Sequence, residues 1–186
     1  MDTFRHKKIV VVGNAGSGKT TLSFHLQHML HLPLYHLDQY CWKPGWERIP
    51  LQEFYAAHTE LCSRDAWIIE GSYIKILRER VSAADVIVFL DIPTSTCLGR
   101  VLKRSVLHWG KVLPGNPEGC EQRIMSRKFL DFLHWVWTFN DRYRRIIIDL
   151  VDDAKHKGKH VYRITSSREC DAFLESMAQQ SSKKSS

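Results

Sequence analysis

The residues best suited to chemistry stand near the N-terminus, where Gly13, Asn14, Ala15, Gly16, Ser17, Gly18, Lys19 and Thr20 follow one another. They fit the spacing G-x-x-x-x-G-K-[ST], in which glycines frame a loop and a lysine and a hydroxyl residue close it. Glycine lets successive backbone N–H groups turn inward around phosphate oxygens, where side chains would collide. Lys19 has the reach to touch the β- and γ-phosphates of a nucleoside triphosphate, and Thr20 offers a hydroxyl to Mg2+. Thr21 continues the same turn. From average residue usage, a chance match in a chain this long has a probability on the order of one in a hundred. The loop also directly follows an apolar β-branched run, residues 9–12, and opens the helical pattern of residues 20–30. The positive end of that helix therefore faces the anion.

A phosphate loop needs a strand behind it and a helix ahead, and the same alternation continues along the chain. Residues 9–12 read as a buried parallel strand, and 20–30 as a helix with Leu22, Leu26, Met29 and Leu30 on one side. A weaker strand is predicted at 34–37, followed by a structured loop at 39–50 that holds Tyr40, Trp42, Trp46, two prolines and a glycine. Next come a helix at 51–64, a strand at 67–69 ending in Glu70-Gly71, a short helix at 73–80 and a strand at 86–90. A helix at 94–107 follows Pro93. Residues 108–119, with three glycines and two prolines, read as a mobile loop. A long helical pattern from 121 to about 157, breaking near Asn140, leads to a strand at 160–164 and a helix at 169–177. The tail, 179–186, is polar and low in complexity, and disorder is expected there. Strands separated by helices imply an α/β domain of about five parallel strands covered on both faces, with ligands at the strands' carboxyl ends.

Composition narrows the classes. A chain of 186 residues, 44% hydrophobic, suits one domain with a proper core and is short for two. No apolar run approaches the roughly 20 residues of a membrane span, and the run at 9–12 is too short for a signal sequence, so a cytoplasmic protein is expected. Five cysteines stand singly, which indicates neither a disulfide framework nor a cysteine-rich zinc site. The net charge of +7 suits a nucleic-acid partner or an enzyme that holds polyanionic phosphates. Several arginines gather in one central stretch, which favours the second.

Three further features resemble the nucleoside- and nucleotide-kinase branch of phosphate-loop proteins, the group around adenylate and shikimate kinases. The second strand ends in His36-Leu37-Asp38, and the third in Glu70-Gly71. Arg100-Val101-Leu102-Lys103-Arg104 then precedes a glycine- and proline-containing loop, with Arg123 and Arg127 after it. The fuller pattern adds Trp42, Trp46, Trp67-Ile68-Ile69-Glu70-Gly71-Ser72-Tyr73 and the stretch 132–145. It is similar to the bacterial DNA topology modulation proteins, which are adenylate-kinase-related. The resemblance implies a three-layer P-loop NTPase fold over residues 1–178, with a small arginine-bearing lid at approximately 105–127. It also implies ATP and Mg2+ as cofactors, Asp38 beside the acceptor, and Glu70 holding the metal through water. An aspartate is usual where Glu70 stands. The activity implied is transfer of the ATP γ-phosphoryl to a nucleoside, a nucleotide or a hydroxy-metabolite.

Each candidate carries a plain structural alternative. Arg100 and Arg104, four apart on a helix, share a face, as do Arg123 and Arg127 in the predicted long helix. Such pairs grip phosphate oxygens, or they are solvated helix arginines. Asp38 either takes a proton from an acceptor hydroxyl, orients it, or caps the next segment. Glu70 serves the metal or caps the following helix. Tyr40, Trp42 and Trp46 stack on a base or sugar, or pack within their loop. Arg78 is placed for an acceptor phosphate if the acceptor is a nucleotide. His25, His28 and His31 lie three apart, which suits an exposed helix face better than a metal site. A rival from another class is a nucleotide-binding regulatory protein affecting DNA topology, with DNA as its partner. The family label and the charge favour it, but no helix-turn-helix, zinc finger or uninterrupted basic helix does. Acceptor identity, preference for ATP over GTP, and oligomeric state are not written in these residues.

Overall fold

The alternation inside the first strand decides the architecture. In the computed structural model, which describes residues 6–182 apart from Met125, β1 spans Lys8–Gly13. Val10 and Val12 point into one core, and Ile9 and Val11 into another; all four are sealed from solvent. A strand apolar on both sides needs a layer on each face. On the first face lie α3 (Leu51–Ser63), α4 (Leu77–Ala83) and α7 (Arg145–His156), which contribute Phe54, Leu61, Leu77, Val81, Ile147 and Val151. On the second lie α1 (Lys19–Leu30), α5 (Thr94–Leu107) and α8 (Ser167–Ser182), through Leu22, Leu26, Cys97, Val101, Phe173 and Met177.

The main sheet has five parallel strands in the order β2-β5-β1-β6-β7. These are β2 (Leu34–His36), β5 (Trp67–Glu70), β6 (Val86–Leu90) and β7 (His160–Ile164) around the central β1. The chain leaves β1 toward β2 on one side and returns to β6 on the other, so a crevice opens at the carboxyl end of β1. Pairing sets what meets there: Val11 is in register with Glu70, and His36 with Glu70 on the next strand out. No helix among the described residues is long and apolar enough to cross a membrane.

The elements depart from the sequence expectation in six places. The second strand ends at His36, and Leu37–Cys41 forms a short helix, α2, so Asp38 lies in a first helical turn. The expected loop at 39–50 contains a hairpin, β3 (Trp42–Lys43) and β4 (Glu47–Arg48), in strands too short to leave a period. A 3-10 turn over Ile74–Ile76 precedes α4 where one helix was expected at 73–80.

The long helix, α6 (Arg127–Phe139), starts six residues later than position 121, because Ser126 Oγ accepts the Phe129 N–H at 3.1 Å and caps it. It does not break at Asn140: a π-helical turn over Asn140–Arg144 carries it into α7. That wide turn presents Arg144 to Asp91, whose two oxygens it grips at 2.8 and 3.0 Å, beside Arg163 at 2.6 Å. Finally, α8 runs to Ser182, through part of the stretch expected to be an unstructured tail. Residues 183–186 lie outside the described residues.

Candidate functional site

The phosphate loop turns where β1 ends. Gly16 adopts a φ of +79°, and a Cβ there would fall 2.3 Å from the Cys97 carbonyl oxygen, so no side chain fits. Asn14 braces the loop from below by donating Nδ2 to the Val136 carbonyl at 2.9 Å, and the Ser72 hydroxyl donates to the Gly13 carbonyl. Lys19 Nζ folds back onto the Asn14 carbonyl at 3.0 Å. Ser17 Oγ is buried with no hydrogen-bond partner among the described residues, an orphaned polar atom at the edge of the loop. Ala15 and Gly18 complete the loop, and Thr21 is exposed in the first turn of α1.

Two carboxylates stand opposite. Glu70 Oε1 accepts from Thr20 Oγ1 at 3.1 Å and from His36 Nδ1 at 2.7 Å. Burial works to raise the Glu70 pKa, but the His36 hydrogen bond, the Lys19 charge and the Thr20 hydroxyl outweigh it and hold the group ionised. Among the described residues it makes no capping hydrogen bond to the helical turns that follow. A threonine hydroxyl beside an ionised carboxylate is the hard-oxygen donor set that Mg2+ takes, with water completing its shell. Asp38 Oδ1 accepts the Tyr73 hydroxyl at 2.5 Å. Burial pushes the Asp38 carboxyl above its ordinary range, against that hydrogen bond. Burial likewise pulls the Lys19 ammonium down, against the attraction of Glu70 and Asp38.

The four arginines separate into two groups. Arg104 is half-buried with its Nε sealed and unpartnered, and burial depresses its pKa while Asp38 and Glu70 sustain its charge. It shares the electrostatic field of Lys19 and Asp38. Arg100 spans the rim: Nη1 lies 3.3 Å from the Ser17 carbonyl and Nη2 2.9 Å from Ser167 Oγ, tying the loop to the β7–α8 turn. Arg123 is 72% exposed and pairs with Glu121 at 3.6 Å. Arg127 is exposed in the first turn of α6. Among the described residues no hydrogen bond or ion pair joins either to the phosphate loop. Their expected common face assumed one helix, and the Ser126 cap leaves Arg123 outside it. Arg78 is exposed with its charge near Asp153 of α7, whereas Arg80, two positions on, is buried. His25, His28 and His31 are exposed, and among the described residues no three His, Cys, Asp or Glu side chains gather around a metal position.

The connection between α5 and α6 is seated on the β3–β4 hairpin. Gly45 donates its N–H to the Gly119 carbonyl at 2.8 Å, Trp46 Nε1 to the Glu121 carbonyl at 3.0 Å, and Lys128 Nζ to the Gly45 carbonyl at 2.9 Å. Buried Cys120 points its thiol at the Lys43 carbonyl, 3.2 Å away. Trp46 takes a left-handed φ of 59° to make its contact. Trp42 meets Trp46 edge-on at 5.8 Å beneath the Arg48 guanidinium, and Tyr40 packs against Tyr35. All three rings thus make packing contacts within and beside the hairpin. Sequence reasoning missed His36, Tyr73 and Ser72 as site residues, and also the Asp91–Arg144–Arg163 network. The available signals were the position of His36 two residues before Asp38 and the run Glu70-Gly71-Ser72-Tyr73 in the resemblance pattern.

No protein-family model matches the chain, and no curated relative does either. Solved structures do. A protein of Chloroflexus aurantiacus provisionally named a kinase is 18% identical, with a TM-score of 0.53 over 95% of this chain and 98% of that one. Shikimate kinase from Acinetobacter baumannii, in complex with shikimate, is 19% identical, with a TM-score of 0.54 over 93% and 91%. Shikimate kinase from Aquifex aeolicus is 16% identical, with a TM-score of 0.52 over 93% and 95%. At such identities the likeness is one of fold: a five-stranded parallel sheet with helices on both faces, as in phosphate-loop kinases.

Proposed function

We propose that this chain transfers the γ-phosphoryl group of ATP to a hydroxyl of a small acceptor, with Mg2+ present. One observation carries the reading: where β1, β5 and β2 end, the phosphate-loop Thr20 hydroxyl donates to Glu70 at 3.1 Å, and Asp38, held by Tyr73 at 2.5 Å, stands in the same charged cluster as Lys19 and Arg104. The loop amides and Lys19 hold the triphosphate, and Thr20 and Glu70 serve the metal, which shields the phosphate charges when bound. Tyr73 occupies one oxygen of Asp38 and leaves the other for the acceptor. A carboxylate accepts from a hydroxyl and repels a phosphate, so the acceptor is read as an alcohol, such as a nucleoside or hydroxy-metabolite. Its oxygen bonds to the γ-phosphorus as the bond to the leaving ADP oxygen breaks, and its proton passes to Asp38. Burial raises the basicity of Asp38 in the direction this needs. Arg104 meets the charge that spreads over the transferring group.

The connection 108–126, seated on the hairpin, is the lid of this reading and keeps water from the reacting phosphoryl. A closer kinship with the DNA topology modulation proteins rests on sequence motifs alone.

The test follows ADP release from Mg-ATP with a panel of nucleosides, nucleotides and hydroxy-metabolites, with Lys19→Ala as the blank. One alcohol should raise release sharply, and the mutant should abolish it. If ATP binds and no acceptor changes turnover, a regulatory nucleotide-binding role replaces this one.

A further inference from the structure

His36 touches three parts of the molecule at once. It is 6% exposed, and so is Glu70, to whose Oε1 its Nδ1 donates at 2.7 Å. Its ring lies 5.2 Å from that of Phe24 on α1. Its third neighbour is Gly115 of the α5–α6 connection, packed so tightly that a Cβ there would fall 2.9 Å from Nδ1 and 3.1 Å from Cγ. The same connection is pinned to the β3–β4 hairpin through Gly119, Cys120 and Glu121.

This arrangement answers a difficulty at position 70. A glutamate has one more rotatable bond than an aspartate, so its carboxylate needs something to hold it. Thr20 and His36 both hold Oε1, and only His36 does so from a β-strand paired with the glutamate's own strand. When the connection is seated, the Gly115 backbone covers the ring and keeps water off the hydrogen bond. The cover over that face of the ring therefore depends on the connection staying seated.

We propose that His36 is a positioning residue that couples seating of the connection to the orientation of the Glu70 carboxylate beside the phosphate loop. The inference rests on the kinase reading and deepens it: the residue that orients a metal-side carboxylate is itself controlled by the lid. A partner that orients a metal ligand typically changes metal affinity about 10- to 100-fold when lost.

The experiment needs no acceptor. Binding of a fluorescent ATP analogue is titrated with Mg2+, and exchange of the Gly45 amide, which bonds to Gly119 when the connection is seated, is followed in parallel. His36→Leu should raise the Mg2+ requirement about tenfold or more. His36→Asn, whose Nδ2 stands near the imidazole Nδ1, should restore most of it. Gly115→Ala should match His36→Leu and speed Gly45 exchange. Gly110→Ala provides the control, because Gly110 has a similar φ of +72° but nothing within 4 Å of its Cβ position. It pays the same backbone penalty and should behave as wild type.

An unchanged Mg2+ requirement in His36→Leu overturns the proposal, as does His36→Asn failing as badly as leucine, since His36 would then act by packing. Gly115→Ala indistinguishable from Gly110→Ala removes the coupling. If His36→Leu does not fold, the two glycine variants decide. If the wild type itself binds no Mg2+-nucleotide, the kinase reading falls and takes this inference with it.

Discussion

Arg104 sits at the phosphate site with an unmet demand for a partner. Its Nε is buried and unpaired, and the carboxylates of Asp38 and Glu70 sustain its charge without a described hydrogen bond. A buried donor left unmatched costs roughly 1–3 kcal/mol, a cost offset when a phosphoryl oxygen comes within reach. Because that oxygen gathers charge mainly in the transition state, Arg104→Ala should lower kcat by about 100-fold and leave ATP affinity nearly unchanged. Arg104→Lys should rescue little, since an ammonium has no Nε and no planar fork. Arg123→Ala and Arg127→Ala, at exposed positions, should turn over like wild type. An equal loss of turnover and ATP affinity in Arg104→Ala would remove its assigned role. Lys19 and Thr20 were legible in the sequence because the phosphate loop is local, its parts fixed by spacing alone. Arg104 was legible through its i,i+4 relation to Arg100 on a well-marked helix. His36 and Tyr73 were not, because their partners lie 34 and 35 residues away and only strand pairing and a helix turn bring them together.

At the scale of elements, the three strands buried along both faces, β1, β5 and β6, announced themselves as apolar runs rich in β-branched residues, while the less buried β2 and β7 could be anticipated only from the strand–helix alternation around them. The β3–β4 hairpin could not. Its strands are two residues long, and its partners, Gly119 and Glu121, come from a segment with no period of its own. The start of α6 was also hidden, since Glu121, Gln122 and Arg123 are helix-forming residue types and a single serine, Ser126, sets the boundary. That serine makes a definite claim. Ser126 Oγ satisfies the Phe129 N–H, and Phe129 is buried, so the cap anchors the helix on which the connection turns back into the core. Ser126→Ala should lower the unfolding free energy by about 1 kcal/mol, and Ser126→Asp should restore most of it. Urea titrations of the three proteins measure this, and an alanine variant as stable as wild type would mean the helix start is set by Phe129 burial alone.

Taken whole, the molecule places a polar cluster inside its α3–α4 seam, and that cluster makes its stability depend on pH. His58 is fully buried, with Cys62 Sγ 3.5 Å from Nε2 and Glu79 Oε2 3.2 Å from Nδ1. Arg80, also fully buried, lies close enough for its charge to act on both His58 and Cys62. Burial first, then Arg80, press the His58 pKa from 6.5 to about 4, and Glu79 opposes them only in part. The folded protein therefore keeps His58 neutral, whereas the unfolded chain takes up a proton as pH falls below about 6.5. Wherever the unfolded state binds more protons, stability rises with pH. The contribution is thus present in full above 6.5 and drains away as pH falls toward 4. Between pH 7 and pH 5 it amounts to roughly 2 kcal/mol, a large part of the 5–15 kcal/mol typical of a whole domain. The seam also reaches the site, because Arg80 Nη2 lies 3.5 Å from the carbonyl of Tyr73, whose hydroxyl holds Asp38. His58→Gln, which cannot ionise, should lose about 2 kcal/mol less than wild type between the two pH values, read from urea unfolding at each. Equal losses in the two proteins would show that other groups carry the acid sensitivity and that the seam is electrostatically silent.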